Sequence, residues 1–285
     1  MIQNKIKSPA KINLYLHLTD QDHFNYHTID TLVCFLPDLY DEITIKETNN
    51  NSHIIETIGP WQHFVNGQNI VENVLQKINH LLQQKTFHIT IKKNIPVGAG
   101  LGGGSSNAAY LLNHLIDRCQ LSLSQTEKLK ICSEIGADVS MFNYKNALYA
   151  MGIGNIIFPT ISFPDKLFVL LVYPKHSLST KNIYNNYSSQ FSKHITHDYK
   201  LDIKTLLKLL KQTKNDLYLS SLDFLPELSN IIKTINSLDG CLFARMSGSG
   251  SSCFGIFHDQ NMLQLARSKL GKKMPDFFIT QSRIQ

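Results

Sequence analysis

Five glycines fall within seven residues, Gly98 to Gly104, in the run "IPVGAGLGGGSSNAAYLL" that begins at Ile95. Glycine is the costliest residue to order, so a cluster this dense needs a physical reason. Its neighbours supply one: "FHITIKKNI" before it reads as a strand, and Ala108, Leu111, Leu112 and Leu115 after it form one helical face. A glycine-rich turn closed by a helix N-terminus makes a phosphate cradle. Successive N–H groups converge there, and the helix end adds roughly half a positive charge. The cradle candidates are Pro96, Val97, Gly98, Ala99, Gly100, Leu101, Gly102, Gly103, Gly104, Ser105 and Ser106. The two serines stand where they could cap the helix or hydrogen-bond a phosphate oxygen. A tight strand-to-helix turn with no ligand is the bland alternative.

Three familiar cradles fail on context. A Walker A loop needs a lysine after its last glycine, and none follows Gly103 or Gly104. Gly98, Gly100 and Gly103 spell G-x-G-x-x-G, but Asp117, at nearly the spacing of the acidic residue in a dinucleotide site, ends a helix instead of a second strand. A protein-kinase glycine loop would be followed by a strand.

Other residues carry chemistry less specifically. Asp138, in "GADVSMF", is either a reactive carboxylate or a cap for the next segment. Lys11 lies on an apolar strand, "KINLYLHL", where an inward lysine needs a partner. Tyr26 and Tyr184 read alone as half-buried tyrosines. Five cysteines with no CxxC pair suit reduced thiols in a cytoplasmic protein. His23/His27 and His194/His197 have helical spacing but no third ligand, so no metal site is expected.

The net charge of +6 raises the question of nucleic acid. Part of the excess is Lys200, Lys204, Lys208, Lys211 and Lys214, which reads as the solvated face of one helix. No aromatic-rich RNA-binding motif accompanies it, and a mild positive balance suits polyphosphate substrates. No nucleic-acid partner is expected. No apolar run is long enough to span a bilayer, the N-terminus lacks an apolar signal core, and no membrane partner is expected.

The elements that must position these groups are mixed. Residues 1–48 read as strands and Ile70–Leu82 as a helix. Ser124–Ile135 reads as a helix opened by a Ser124/Glu127 capping box. Strands follow at Ala147–Met151 and Leu167–Tyr173, then a loop, the lysine helix, and a helix opened by Pro226. "CLFARMSGSGSSCFGIF" reads as strand, glycine loop, strand, before a helix near Met262–Leu270 and a last strand. This order is α+β, with a boundary between Pro159 and Asp165.

At this point the residues resemble the GHMP small-molecule kinases. "PVGAGLGGGSSNAA" looks like their P-x-x-x-G-L-G-S/G-S-S/A motif, with "SPAKINLYLHL" and "MSGSGSSCFGIF" in the expected places at the two ends. The resemblance implies a two-lobe fold: an ATP-binding lobe over residues 1–158, ribosomal protein S5 domain 2-like, and a ferredoxin-like lobe over 159–285, with the site in the cleft between them. "NYHTIDTLVCF", "GADVSMF" and "NDL" are similar to the branch that phosphorylates a cytidine diphosphate-linked sugar alcohol of the non-mevalonate isoprenoid route. From that branch, Asp138 is implied as catalytic base or orienting carboxylate with Lys11 beside it. Tyr26 and Tyr184 would sandwich the cytosine, His27 would hydrogen-bond it, and Asn13 would contact substrate. Gly248 and Gly250 form the second glycine loop, Asn69 lies on the adenine side, and ATP with Mg²⁺ is the phosphoryl donor. The chain would work as a monomer or homodimer. Two departures stand out: "FNYH" where the family has "DGYH", and "GQNIVENVLQ" where it has "DNLV". Another GHMP kinase, of homoserine or mevalonate type, and a nicotinamide-binding oxidoreductase are the alternatives.

Overall fold

The computed structural model describes residues 4–21, 26–65, 69–159, 161, 163 and 166–285. His23, Phe24, Asn25, Gly67, Gln68 and part of the expected boundary (Thr160, Ser162, Pro164 and Asp165) lie outside the described residues. The chain forms two compact units. Met1–Ala10, Tyr40–Val97 and Gly102–Asn143 make the first; Lys11–Leu39, Gly98–Leu101 and Tyr144–Gln285 make the second. The units are interleaved in sequence, because two long strands, β1 (Asn4–Gln21) and β2 (His27–Thr48), each begin in one and end in the other.

In the first unit, Glu42–Thr48 of β2 pairs antiparallel with β4 (Thr86–Lys92), which pairs parallel with β3 (Ile54–Ile58). Alternation along β4 sends Phe87, Ile89 and Ile91 into the core and leaves their neighbours half-exposed. Three helices belong to this unit. In α1 (Ile70–Ile78), Val71, Val74, Leu75 and Ile78 are buried at helical spacing; in α2 (Gly103–Cys119), Ala108, Leu111, Leu112 and Leu115 are. α3 (Gln125–Ile135) opens on the expected capping box, with Ser124 Oγ accepting from Glu127 N and the Glu127 carboxylate accepting from Ser124 N at 2.8 Å.

In the second unit, Ile29–Val33 of β2 pairs antiparallel with β5 (Leu148–Gly152), and β5 with β6 (Ile156–Pro159). The chain then runs β7 (Phe168–Tyr173), α4 (Thr180–Asn185), α5 (Ile203–Gln212), α6 (Leu217–Phe224), α7 (Leu228–Asn236), β8 (Cys241–Met246), β9 (Cys253–Phe257), α8 (Gln260–Lys273) and β10 (Phe278–Arg283). The last four strands form an antiparallel sheet ordered β10-β7-β9-β8. Counted along the chain this is 4-1-3-2 with helices in both crossovers, the ferredoxin-like arrangement. The all-apolar β7 is an inner strand buried along its whole length. Leu228, Ile231 and Ile235 of α7 and Leu263, Ala266 and Leu270 of α8 join the same core.

Several local expectations change. Within the stretch 1–48 read as strands, residues 27–48 are one continuous strand, β2, which runs through Pro37 without a break in the backbone. The stretch after Ser179 is a short helix, α4, capped by Ser179 Oγ on Asn182 N. α5 spans only Ile203–Gln212, so Lys204, Lys208 and Lys211 form an exposed helical face while Lys200 and Lys214 lie beyond its ends. The helix expected at Pro226 starts two residues later. All five cysteines are free. Among the described residues no helix is long and apolar enough to cross a membrane.

Candidate active site

The glycine run starts from a strand end that one buried carboxylate holds. Asp41 is fully buried, and its Oδ1 accepts from the backbone N–H groups of Asn94 (2.7 Å) and Ile95 (2.8 Å). Its Oδ2 accepts from Asn107 Nδ2 at 3.0 Å and forms an ion pair with the buried Lys93. Ser8 Oγ donates to Asn107 Oδ1 at 2.5 Å. One side chain thus ties the exit of β4 to the first turns of α2. Two charges removed from water are tolerated only when paired and saturated like this.

α2 begins inside the glycine cluster. Its N-cap is Gly102, with φ of 66° and no side-chain capping bond, so the expected capping role of Ser105 and Ser106 is not found. The helix starts at Gly103, which places both serines in its first turn. Ser106 N donates to Gly102 O at 2.8 Å, so the N–H groups of Gly103, Gly104 and Ser105 have no acceptor within the helix. Ser106 Oγ is buried with no hydrogen-bond partner among the described residues. A buried hydroxyl without a partner and three orphan amides are what an anionic oxygen would satisfy. A Cβ on Gly104 would meet its nearest neighbour, Ile70 Cγ2, at 3.4 Å, an ordinary contact, so the protein's own packing does not demand glycine there.

The earlier glycines answer to a different constraint. Gly100, at φ 74°, lies so close to the second glycine loop that a Cβ would sit 2.8 Å from both Ser247 O and Gly250 O. The side chain is excluded here by another backbone, not by a ligand. In the same unit, a Cβ on Gly248 would lie 3.2 Å from Asn13 Oδ1 and 3.6 Å from Lys11 Nζ. Both glycine loops, Lys11 and Asn13 therefore come together. Lys11 Nζ donates to Asn13 Oδ1 at 2.6 Å, and Asn13 Nδ2 donates to Thr31 Oγ1 at 2.9 Å. Asn13 N donates to Ser247 Oγ at 3.1 Å. Asn215 clamps the second loop, donating to Met246 O (2.9 Å) and Gly248 O (2.8 Å) while accepting from Leu217 N. That is the work of the Asn in "NDL".

His27 stands in an aromatic cluster. Its ring centroid is 5.6 Å from Tyr184, 5.8 Å from Tyr187 and 6.1 Å from Phe191. Burial holds its imidazole below the ordinary 6.5, which favours the neutral ring. A neutral ring offers one donor and one acceptor, on opposite sides of the ring. Tyr26 beside it is 66% exposed, its side chain presented to solvent.

Asp138 lies in the first unit, half-buried, directly before a 3₁₀ turn over Val139–Asn143. Asn69 is the N-cap of α1, its Oδ1 accepting from Val71 N at 3.2 Å. His194 and His197 both reach the buried carboxylate of Asp30, at 3.4 and 3.0 Å. Among the described residues no cluster of three His, Cys, Asp or Glu side chains could hold a metal ion. After α2 comes α3 and not a parallel strand, so the G-x-G-x-x-G spelling has no dinucleotide-binding unit around it.

The sequence profile of the GHMP kinases N terminal domain matches residues 69–146, and that of the GHMP kinases C terminal domain matches 199–276. The chain belongs to the GHMP kinase family. It is 37% identical to a 4-diphosphocytidyl-2-C-methyl-D-erythritol kinase of Pelagibacter ubique (strain HTCC1062), with 98% of each chain covered. To the protein of the same name in Wolbachia sp. subsp. Drosophila simulans (strain wRi) it is 34% identical, again over 98% of each. A crystal structure of 4-(cytidine 5'-diphospho)-2C-methyl-D-erythritol kinase superposes with a TM-score of 0.79 at 23% identity, over 99% of both chains. Homoserine kinase from Cytophaga hutchinsonii gives 0.73 at 15% identity, over 98% of this chain and 94% of that one. The two-lobe GHMP fold is thereby established, and it includes the ferredoxin-like sheet.

Asp41, Lys93, Asn107, Thr31, Ser247, Tyr187, Phe191 and Asp30 escaped the sequence reading. A signal existed for some of them. Asp41 stands in the alternating phase of the buried Leu39, Ile43 and Ile45 of β2, Asp30 lies between the buried Ile29 and Leu32, and the helical phase of α2 puts Asn107 beside Ala108 and Leu111 on the buried side. Their partners are far away in sequence, which is why the signal had no reading.

Proposed function

We propose that this chain transfers the γ-phosphoryl group of ATP to the 2-hydroxyl of 4-diphosphocytidyl-2-C-methyl-D-erythritol, in the non-mevalonate route to isoprenoid precursors. The observation that carries the reading is the meeting of Gly100, in the segment Gly98–Leu101, and the second glycine loop with Lys11 and Asn13 in one unit. The full-length likeness to kinases of that name supplies the acceptor. GHMP kinases use ATP as donor.

In the proposed mechanism, the amides of Gly98–Ser106 hold the phosphates and Asn69 lies on the adenine side. Tyr26 and Tyr184 stack on the cytosine and His27 hydrogen-bonds its edge. Gly248, Gly250 and Asn13 shape the acceptor side. A tertiary alcohol is a poor nucleophile until it sheds its proton, and Asp138 takes that proton as the phosphoryl group arrives. Lys11 neutralises charge that grows on the transferred oxygens. Its Nζ is oriented by Asn13, whose amide is fixed in turn by Thr31. The described residues do not form a metal centre by themselves. Mg²⁺ would arrive with the nucleotide and supply charge neutralisation between its phosphates. In sequence, the ATP-binding and ferredoxin-like domains divide after residue 158; the location is cytoplasmic and the assembly a monomer or homodimer.

A coupled assay offering the cytidine substrate, homoserine and mevalonate in parallel tests the acceptor. Turnover of the cytidine substrate alone is expected, and a preference for either other alcohol would transfer the chain to another branch of the family. Asp138→Asn is expected to lower kcat by about 10²–10⁴-fold while ATP still binds. Near-normal turnover would remove its role as base.

A further inference from the structure

Residues 187–199 form neither helix nor strand, yet they are fixed at many points. Ser192 N donates to Leu18 O at 2.8 Å and Ser192 Oγ to Asp216 Oδ1 at 3.1 Å. Lys193 O pairs with His17 Nδ1 at 3.2 Å, and Asp198 O accepts from Tyr149 OH at 3.0 Å. The His197 ring lies flat on Tyr149, centroids 4.1 Å apart and planes within 6°. The firmest anchor is Asp30. Its Oδ1 accepts from Tyr15 OH (2.6 Å) and His197 Nε2 (3.0 Å), its Oδ2 from Ile195 N (3.1 Å) and His194 Nδ1 (3.4 Å).

A carboxylate has two oxygens with room for about four donors, and Asp30 has four. Three of them come from this strap. Asp30 is fully buried, so peeling the strap away would leave a carboxylate in the core with Tyr15 as its one remaining donor among the described residues. The strap is thus pinned by the cost of an unsatisfied buried charge and not by secondary structure. It also carries Phe191, whose ring stacks on Tyr187 at 5.8 Å and meets His27 edge-on at 6.1 Å. Phe191 is 42% exposed, an aromatic face left open beside the histidine proposed to read the base.

We infer that the strap 187–199 is a wall of the nucleobase site, that Phe191 contacts the cytidine base, and that Asp30 with His197 are positioning residues that set Phe191 through the strap. This rests on the reading of His27 as the base-recognition residue. It makes acceptor affinity depend on a carboxylate and histidine that never touch the substrate. ATP binding and the chemical step do not depend on them.

The experiment uses the full chain and its steady-state kinetics with both substrates. Asp30→Asn carries the risk of misfolding, so the variants are His197→Ala, Phe191→Ala and the pair together, each checked by thermal melting. Phe191→Ala is expected to raise KM for the cytidine substrate about tenfold, as loss of one aromatic edge contact does. His197→Ala should raise it similarly, with kcat and the KM for ATP nearly unchanged. The double variant should be no worse than the worse single variant, because the two changes act along one path. Multiplied effects, an unchanged KM in His197→Ala, or a fall in kcat without a rise in KM would each overturn the inference. If the unmodified protein does not turn over the cytidine substrate, the functional reading falls and this one with it. If it does and the variants match it, only this inference falls.

Discussion

The strand β2 carries two fully buried carboxylates, Asp41 in the first unit and Asp30 in the second, and they are satisfied in different ways. Asp41 binds two consecutive backbone amides, an asparagine and the ammonium of Lys93, all on or beside regular elements. Asp30 binds a tyrosine, two histidines and an amide, three of these on a segment without secondary structure. The strand end and helix start around the proposed phosphate cradle are accordingly rigid, joined through the one carboxylate of Asp41. The proposed wall of the base site is an irregular strap held at points. A cradle that must aim several N–H groups at once needs fixed elements on both sides. A base sandwiched by rings tolerates a looser wall, because stacking has a broad optimum.

Changes to the two sides should therefore part company. The largest effect is expected from Asp41→Ala, which leaves Lys93 as a charge buried without its carboxylate. A loss of about 3–5 kcal/mol in unfolding free energy follows from breaking such a pair, read by urea denaturation, and an unchanged midpoint would remove the rigid half of the contrast. Gly100→Ala comes next. Its Cβ would sit 2.8 Å from two carbonyl oxygens at a φ of 74°. The strain of roughly 1–3 kcal/mol should weaken ATP and the cytidine substrate together by calorimetry, because the clash falls on the loop proposed to shape the acceptor side. A loss of ATP affinity alone would show that the second loop does not shape that side. Tyr26→Ala should act on one side only, weakening the cytidine substrate by about 1–3 kcal/mol with the KM for ATP unmoved. An unaltered cytidine KM would refute the sandwich.

The smallest effect is on pH. Burial lowers His17, with both ring nitrogens engaged by Lys193 O and Lys214 N, and it lowers His27. For each ring the folded value lies below the ordinary 6.5, so the unfolded chain binds more protons in the interval between them. Stability should therefore fall as pH drops through about 6.5 and level off below the folded values. Thermal melts across that range test the sign, and His17→Gln should flatten the slope. A melting temperature that rises on acidification would contradict the neutral, buried reading of these rings.

Much of the fold was legible because its signals are local. The Ser124–Glu127 box, the apolar faces of α1, α7 and α8, and the uninterrupted apolar β7 each rest on residues within a turn or two of one another. Local reasoning went wrong where a tertiary partner competed. Capping was one of two roles open to Ser105 and Ser106, but α2 starts earlier, with Gly102 in a left-handed conformation as its N-cap and both serines inside the first turn. The stretch after Ser179 read as a loop but winds into α4, whose Ile183 is buried in the core of the second unit.

The sequence alone determined that a glycine-rich turn opens α2, that a lysine sits on an apolar strand at Lys11, and that a second glycine loop lies near the C-terminus. Spacing and residue type suffice for these, since backbone amides converge wherever strand, glycines and helix follow one another. Only the tertiary structure decided why particular glycines are there. Gly100 yields to the carbonyls of Ser247 and Gly250, well over a hundred positions away, whereas Gly104 has no such neighbour. It also decided which polar residues hold the site together. A buried carboxylate is defined by donors that arrive from distant parts of the chain, and no sequence window contains both Asp30 and His197.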